Sequence, residues 1–587
     1  MYQWDLSPFY LGFDDSNFEK DLKLIFEKCE DSLKDFENKS LLSHPKDFLE
    51  MSLRKQEEID FLASRVFGFI SLNSSADTQN MEAKRAMVRM QPLFGRFALL
   101  DNKYQNYIKN INNLDQVIES SPYLLEYRFI IHEAKKQVMH TMSEELEVLT
   151  SDLVQNGSRL WSQMQRHLTS IAEVELNGEK MGLSAIRNLA YDNNPQVRKQ
   201  AYDKELELYK TIEEPMSFAI SGLKGEVNTL VERRHFKSAL DEALFKSRMK
   251  KETLDALLEA MRESFDDFRR YLKHKAKLLG HKNGLPWYDL FAPMGKSDIK
   301  YTIEEAQAFI LKQFSSFGEE LRAMAERAFT NNWIDYLPRK GKVGGAFCMN
   351  CRTLKQSRIL SNFDGTISDI ITLAHELGHA YHGEQIFKEA PLNSSYTMPV
   401  AETASTFCET ITKKAAYFES NSIDEKIHIL EQELQDATQV ILDIYSRFLF
   451  EQDVFESRKK SIPNAKELNE MMIKAQKEAY GDGLDQNVLN SGMWINKSHY
   501  YRGSLSFYNF PYAFGLLFAK GIYAKYKEIG PSFVEKINML LRSTGKMSVE
   551  DVALLIDIDI TKKDFWQAGL KTIKDDIDEF IKLTSGK

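Results

Sequence analysis

The chain has 587 residues, 43% of them hydrophobic, and a formal net charge of -9 with both signs interspersed. A chain of this length exceeds what one hydrophobic core usually fills, so two or more substructures are expected. The composition is ordinary for soluble globular proteins, and the charge balance provides no electrostatic footprint for nucleic acid.

Secretion and membrane signals are not expected in this sequence. The N-terminus has no basic segment followed by an apolar one, which argues against a secretion signal. No run of about 18 apolar residues occurs, so neither a membrane-spanning helix nor a membrane partner is expected. The cysteines, Cys29, Cys348, Cys351 and Cys408, are too few for a disulfide framework in so long a chain. These features predict a reduced, cytoplasmic protein.

Long amphipathic patterns, with only 28 glycines and 14 prolines, predict a mainly α-helical fold. From about Asn17 to Phe265 the sequence predicts one helix after another. Apolar residues recur at spacings of three and four between Ala185 and Leu230. Pro215 lies within that stretch and predicts a turn that divides it into two helices.

Between residues 333 and 363 the pattern changes to short apolar runs separated by glycines. These runs are Trp333–Pro338, Arg339–Cys348 and Ser357–Phe363. They predict a small antiparallel sheet. The period then becomes helical, and the pair Thr366 and Asp369 predicts a capping box at the start of that helix.

The predicted helix contains an HExxH motif, from His375 to His379. Residues at i and i+4 lie on one face of a helix, about 5–6 Å apart, so both imidazoles can reach one metal ion. Zinc with neutral nitrogen ligands acts as a Lewis acid on water, and a neighbouring carboxylate can take the proton. The motif therefore predicts His375 and His379 as ligands and Glu376 as general base. The alternative is a helix whose two histidines only pack or hydrogen-bond.

A catalytic zinc site needs a third protein ligand, and three acidic residues follow the motif as candidates. Glu384 lies only about a turn and a half beyond the motif, and Glu389 falls in a predicted loop. Glu402 belongs to a second helical pattern and is flanked by alanine and threonine, which allow two helices to approach closely. We favour Glu402 as the third ligand.

Glu409 follows Glu402 by seven residues, which is two helical turns along the same face. A carboxylate in that position could accept a hydrogen bond from a ligating histidine and so fix its tautomer. The alternative is a carboxylate on the protein surface.

An aromatic segment from Trp494 to Gly515 contains His499 among many tyrosines and phenylalanines. Aromatic residues near glycine and proline usually indicate core packing. A zinc peptidase also needs a donor for the oxyanion, which a tyrosine hydroxyl or a histidine can provide. The glycine-rich strand at residues 344–348, or Ser357–Phe363, could pair with a substrate backbone by β-augmentation.

Four segments together resemble the oligoendopeptidase F group, which belongs with thimet oligopeptidase and neurolysin. They are WIDYLPRKGKVGGAFC, SNFDGTISDIITLAHELGHAYH, AETASTFCET and HYYRGSLSFYNFPYAFG. The resemblance extends from about Phe18 onward. It implies a mainly α-helical, two-lobed, clam-like fold with a deep channel and a small sheet near the active site. Narrow access to that channel would restrict substrates to short unstructured peptides.

Carried over by motif position, the resemblance also implies a role for individual residues of the metal site. His375, His379 and Glu402 would bind one Zn²⁺ ion per chain. Glu376 would be the general base, and Glu409 would orient a ligand histidine.

The resemblance implies that the aromatic segment binds substrate and stabilises the oxyanion, through His499 and a tyrosine. The spacing after His499 is looser than in the oligoendopeptidase F group. We select Tyr508 and Tyr512 for this role and keep Tyr501 in reserve.

The sequence thus predicts a zinc-dependent endopeptidase that acts on short oligopeptides. We expect an N-terminal helical lobe at residues 1–200 and a catalytic HExxH domain at residues 201–587. One alternative is a zinc exopeptidase of dipeptidase or carboxy-terminal trimming type, which would need a group that grips a peptide terminus. Another is a non-catalytic, helical peptide-binding protein with a vestigial motif.

Overall fold

The computed structural model describes residues 2–296 and 299–586, which form two compact units. Unit 1 consists of residues 2–140, 299–415 and 525–557, and unit 2 of residues 141–296, 416–524 and 558–586. Helices make up 72% of the chain, so the predicted mainly α-helical fold is confirmed. No helix in the described ranges combines the length and the apolar character that crossing a bilayer requires.

These units are assembled from separate chain segments rather than from two consecutive halves. Residue 200 lies inside a helix of unit 2, Pro195–Arg233. The compact units therefore do not follow the division into residues 1–200 and 201–587, which stays a prediction about the organisation of the chain.

The first segment of unit 1 is built from helices with one buried face. Its α-helices are α1 (Ser16–Asp35), α2 (Lys39–Leu42), α3 (Pro45–Ala76), α4 (Met81–Lys109), α5 (Leu114–Glu119), α6 (Pro122–Glu126) and α7 (Arg128–Gln137). Along α1 the buried apolar residues Phe18, Leu22, Ile25 and Cys29 recur at spacings of three and four. This spacing places them on one face, which packs into a core with Phe69 and Ile70 of α3.

The first segment of unit 2 contains a short hairpin followed by a long helix. Its elements are α8 (Glu144–Asn156), α9 (Ser158–Ile171), β1 (Glu173–Leu176), β2 (Glu179–Gly182), α10 (Leu183–Asn188), α11 (Pro195–Arg233), α12 (Ala239–Lys246), α13 (Lys251–Glu263) and α14 (Phe265–Leu278). β1 and β2 pair antiparallel across a two-residue turn. Asn177 and Gly178 in that turn both have positive φ angles, as a tight hairpin turn requires.

The predicted break at Pro215 is wrong, because α11 continues through this residue. A proline inside a helix removes one backbone hydrogen bond and costs about 3 kcal/mol. Buried side chains on both sides, including Ile212, Met216 and Ile220, hold the two halves of α11 in the core. Tertiary packing therefore outweighs the local preference for a turn.

The rest of the chain completes both units. Its elements are α15 (Ile303–Phe317), α16 (Glu319–Thr330), β3 (Ile334–Asp335), β4 (Phe347–Cys351), β5 (Gln356–Leu360), α17 (Ile367–Ile386), α18 (Met398–Ala401), α19 (Thr403–Glu419), α20 (Ile423–Thr438), α21 (Ile444–Arg458), α22 (Ala465–Tyr480), α23 (Met493–Asn496), α24 (Phe510–Ile529), α25 (Val534–Ser543), α26 (Val549–Leu554) and α27 (Lys563–Thr584). A π-helical turn, Gln439–Asp443, joins α20 to α21.

The predicted sheet is present in unit 1, with strand order β3-β5-β4. β4 and β5 pair antiparallel, as expected, from Phe347 opposite Leu360 to Cys351 opposite Gln356. β3 differs from the expectation because it runs parallel to β5. β5 is therefore the central strand of the sheet, with β3 along one of its edges and β4 along the other.

A buried ion pair supports the segment of unit 2 that carries Tyr508. Lys224 of α11 lies 2.6 Å from the Oε1 atom of Glu451 of α21, and both side chains are at most 1% exposed. Asn509 donates a hydrogen bond to the other oxygen of Glu451 at 3.1 Å. The pair therefore fixes the residue that follows Tyr508.

Lys224→Met should lower the free energy of unfolding by about 3–5 kcal/mol, because it leaves the Glu451 carboxylate buried without a counter-charge. Urea unfolding of the full chain, followed by circular dichroism, measures this loss. The matched control is Lys199→Met, which removes an exposed pair with Asp203 on the same helix. That change should cost about 1 kcal/mol or less. Equal losses in the two variants would contradict the structural role of the buried pair.

Candidate active site

The HExxH motif lies in the middle of α17, whose start is fixed by the predicted capping box. The Thr366 hydroxyl accepts a hydrogen bond from the Asp369 backbone, and the Asp369 carboxylate accepts one from the Thr366 backbone. Four residues apart on this helix, the rings of His375 and His379 have centroids 5.0 Å apart. Both imidazoles therefore face the same side of α17.

Glu402 meets the two imidazoles from the junction between α18 and α19. Its Oε2 atom lies 3.3 Å from Nε2 of His375 and 3.3 Å from Nε2 of His379. Ser405 donates a hydrogen bond to the same oxygen at 2.9 Å. The three donor side chains offer ligand atoms within 4.8 Å of one another, an arrangement that could hold one divalent ion.

A close approach of two backbones brings Glu402 to this position. A Cβ atom built on Gly378 of α17 would lie 2.5 Å from Cα of Ser405 and 2.6 Å from the carbonyl oxygen of Ala404. Real Cβ atoms do not come so near to backbone atoms, so only glycine fits at this point of α17. The glycine of the motif and the small residues after Glu402 together determine the spacing of the helices.

Glu409 contacts His375 on the side away from Glu402, as predicted. Its Oε2 atom lies 2.9 Å from Nδ1 of His375, and Lys413 lies 2.6 Å from its other oxygen. Because a carboxylate only accepts hydrogen bonds, Nδ1 carries the proton of this contact. The contact therefore orients the ring so that Nε2 faces Glu402.

The two carboxylates change the pKa of His375. Burial lowers the pKa of this imidazole, but hydrogen bonds to Glu402 and Glu409 outweigh burial and raise it to about 10. For Glu402 burial raises the pKa, and the contacts with His375 and His379 outweigh it and hold the pKa well below its ordinary range. Protons and metal ions thus compete for the same nitrogen.

Glu376 forms no ion pair with this network among the described residues, although it lies close enough to interact electrostatically with it. Its side chain is buried, and within the described ranges its Oε2 atom has no hydrogen-bond partner. Burial raises the pKa of this carboxyl, partly offset by the positive charge of His375 and His379. A carboxylate with an unused oxygen and a raised pKa is suited to accept a proton.

The sheet and α25 also contact α17 and hold it in place. The Asn350 side chain of β4 donates a hydrogen bond to the His379 carbonyl oxygen at 3.2 Å. Tyr381 donates to Asn538 of α25 at 2.5 Å, and His382 lies 2.9 Å from the Thr544 hydroxyl. These contacts fix the helix that carries both imidazoles.

His499, Tyr508 and Tyr512 form an aromatic cluster in unit 2. The His499 ring centroid lies 5.2 Å from that of Tyr508 and 6.1 Å from that of Tyr512. Burial, followed by the positive charge of Arg447, lowers the pKa of His499 to about 4, so its ring is neutral at pH 7. Tyr501, the residue kept in reserve, is only 1% exposed and packs in the core.

Sequence reasoning did not identify three residues that support the site. Lys413 follows Glu409 by four residues and Ser405 follows Glu402 by three, so helical spacing could have predicted both contacts. Asn350 lies in β4, the strand that packs against α17, and no local sequence pattern predicts its hydrogen bond to that helix.

Comparison with protein families matches residues 188–572, more than half of the chain, to Peptidase family M3. The chain belongs to peptidase family M3. This M3 peptidase is accordingly a metallo-endopeptidase, and its predicted resemblance to oligoendopeptidase F is confirmed.

Curated relatives and a solved structure extend this similarity over nearly the whole M3 peptidase. Oligopeptidase PepF of Bacillus subtilis (strain 168) is 25% identical over 558 residues, covering 93% of this chain and 82% of the relative. The oligoendopeptidase F homolog of Borreliella burgdorferi is 23% identical, covering 99% of this chain and 98% of the relative. The crystal structure of oligoendopeptidase-F from Enterococcus faecium matches with a TM-score of 0.71 at 18% identity, covering 97% of this chain and 99% of that one. This last match supports the fold.

Gly378→Ala should force α17 and α19 apart and move Glu402 from the imidazole pair. We expect a loss of about 1–3 kcal/mol in the free energy of unfolding, which is typical of overpacking, together with weaker metal binding. Thermal unfolding and metal content after dialysis measure the two effects. Gly344→Ala is the matched control in unit 1, because a Cβ atom there meets nothing within 4 Å. Normal metal retention in Gly378→Ala would show that the helix approach does not control the site.

Proposed function

We propose that this metallo-endopeptidase hydrolyses short oligopeptides with one zinc ion held by His375, His379 and Glu402. The observation that carries the proposal is the spacing of the donor atoms. Ligand atoms about 2.0–2.2 Å from a tetrahedral zinc ion are about 3.3–3.6 Å apart. The Glu402 oxygen lies 3.3 Å from each imidazole nitrogen, which is within this range. Two nitrogens and one carboxylate are also a donor set that catalytic zinc sites use.

Glu376 is the proposed general base. When bound, zinc acts as a Lewis acid on the attacking water and on the peptide carbonyl. Glu376 accepts the proton of that water at its unpartnered oxygen and passes it to the leaving amine nitrogen. The pKa of this carboxyl is raised by burial, towards the range in which a group both accepts and returns a proton near neutral pH.

Glu409 is the proposed positioning residue for His375. Its carboxylate accepts a hydrogen bond from the Nδ1–H group of the ring, and its contact with Lys413 keeps it in place. Contacts of this kind fix the tautomer and increase the basicity of a ligand histidine.

The aromatic cluster of unit 2 is the proposed source of substrate contacts. Neutral His499 can bind a peptide group, and the hydroxyl groups of Tyr508 and Tyr512 can donate to the developing oxyanion. Backbone pairing with substrate is better suited to β4 than to β5, because β4 lies at an edge of its sheet and β5 is paired on both sides. This favours the first of the two strands that the sequence suggested for β-augmentation.

A reduced, cytoplasmic location is proposed as well. All four cysteines are free, as expected in a reducing compartment. Short peptides are the proposed partners, and the net charge of -9 argues against nucleic acid.

Glu376→Gln tests the assignment of the base. It should lower kcat for a quenched oligopeptide by about 10²–10⁴-fold, because the amide cannot accept the proton, while zinc stays bound to unchanged ligands. Steady-state kinetics and metal analysis of the same sample measure both quantities. The control is Glu384→Gln on the same helix, which removes an exposed pair with Arg327 and should keep the parental rate. A parental rate in Glu376→Gln would refute its role.

The pH dependence of metal binding tests the ligand network. The pKa of His375 is raised to about 10, so at neutral pH the metal-free ring carries a proton that zinc must displace. Affinity should therefore fall as the pH falls, by up to about tenfold per pH unit for each proton released, and should level off above about pH 10. Chelator competition between about pH 6 and pH 8 measures this slope.

The variant Glu409→Gln serves as the comparison for that measurement. It removes the charged contact that orients the His375 ring, and we expect about 10–100-fold weaker zinc binding. A zinc affinity of the parent that does not change over the same pH range would contradict the proposed competition between proton and metal.

A further inference from the structure

Unit 2 contains a cavity of about 240 Å³ that lies beside α11 and the segment from Asn490 to Lys497. Pockets for drug-sized ligands are usually roughly 300–1,000 Å³, so this cavity suits a small molecule or the end of a longer one. Its side walls are aromatic and are formed by Tyr191, Tyr202, Trp287, Tyr288 and Phe291. Five aromatic rings around so small a cavity can pack against a non-polar side chain of a ligand.

Three cation–carboxylate pairs lie at this cavity. They are Arg198 with Asp289, at 2.7 Å, Arg187 with Glu205, at 3.4 Å, and Arg447 with Asp443. In each pair a positive and a negative charge compensate one another. A charged side chain at the cavity that belongs to none of these pairs therefore determines which ligand charge is favourable.

Lys497 is the positive charge left over. It lines the cavity, and within residues 2–296 and 299–586 its ammonium group forms no hydrogen bond or ion pair, although the carboxylates of Asp443 and Glu205 attract it from a longer distance. Burial, and then the positive charge of Arg447, lowers the pKa of Lys497 to about 7. A desolvated cation without a counter-ion is unfavourable, so a single negative charge in the cavity would stabilise it.

Asn490 and Asn496 also line this cavity, and each has a buried side-chain oxygen that lacks a donor. Asn490 is 2% exposed, and its Oδ1 atom has no partner in the described part of the chain; the same holds for Oδ1 of Asn496. Their amide nitrogens are already used, by Glu205 and by Tyr209 respectively. The two free oxygens therefore require N–H donors. Asp443, also at the cavity, belongs to the π-helical turn, a distortion that is frequent at functional sites.

We propose that this cavity binds the free C-terminal end of a peptide. The Lys497 ammonium group pairs with the α-carboxylate, Asn490 and Asn496 accept hydrogen bonds from backbone N–H groups, and the aromatic walls contact the terminal side chain. A peptide C-terminus combines one negative charge with adjacent N–H donors, which is what the cavity lacks. The inference rests on the proposed peptide-hydrolysing function, and the peptide end belongs either to an intact substrate or to a released product.

Binding is measured by calorimetry on the full-length, zinc-loaded Glu376→Gln variant, with N-acetyl-Ala-Ala-Phe and its C-terminal amide as probes. The acid should bind at least about tenfold more tightly than the amide, because a hydrogen bond to a charged group is lost in the amide. Lys497→Met should remove this difference and Lys497→Arg should retain most of it. The control Lys210→Met, an exposed lysine of α11, should leave the difference unchanged.

Lys497→Met should stay folded, since it removes a charge that no described residue pairs with; circular dichroism and zinc content check this. Equal binding of acid and amide by the parent, or an unchanged preference in Lys497→Met, would overturn the proposal. A parental cleavage rate in Glu376→Gln would instead contradict the assigned base and leave the acid preference standing.

Steady-state kinetics of the active enzyme distinguish whether the bound C-terminus belongs to an intact substrate or to a released product. If intact substrates bind in this way, an amidated quenched peptide should show a raised KM relative to its acid, and Lys497→Met should abolish the difference. If products bind, acid and amide substrates should share one KM, and N-acetyl-Ala-Ala-Phe should inhibit the parent but not Lys497→Met. The absence of both patterns would overturn the proposal.

Discussion

The approach of α19 to α17 at Gly378 determines whether the donor side chains can meet. Backbone atoms of Ala404 and Ser405 occupy the space that a side chain at residue 378 would need. Glu402 precedes these residues, so its carboxylate reaches both imidazoles only while the backbones remain this close. Asn350 and the contacts of α17 with α25 hold the helix as well. The candidate metal site is therefore a consequence of how two helices pack.

The charged side chains of the site form a continuous series of ion pairs. The proposed base, Glu376, is not part of that series. Glu402 and Glu409 approach His375 from its two nitrogen atoms, and Lys413 compensates Glu409. These contacts hold the residues of the site against one another, which limits the reorganisation that metal binding would require. Glu376, next to His375 in sequence, takes no part in these pairs and keeps one oxygen unpartnered among the described residues. Structural and chemical roles are thus divided between neighbouring carboxylates.

Local patterns predicted those parts of the molecule that depend on residue spacing within one element. The capping box of α17 and the common face of His375 and His379 follow from helical periodicity. Spacing left the role of Glu409 open, and its contact with His375 is the one that the family resemblance implied. The Asn-Gly turn of the β1–β2 hairpin is also a local signal, and it was overlooked. Pro215 and the parallel pairing of β3 required knowledge of tertiary packing, which a local pattern does not contain. The sequence could not predict the role of Lys497 for the same reason, because only the tertiary structure shows whether a charged side chain has an ion-pair partner.

The lysines of unit 2 show that the ion-pair partner of a lysine indicates its role better than its burial does. Lys224, Lys275 and Lys520 each lie 2.5–2.6 Å from a glutamate oxygen, so their charges serve the packing of helices. Removing either member of such a pair leaves an uncompensated charge, which is why these lysines are structural. Lys497 differs because it lines a cavity and forms no ion pair with a described residue, although the more distant carboxylates Asp443 and Glu205 attract its charge. A ligand with one negative charge would supply the close partner that the other three lysines find within the protein.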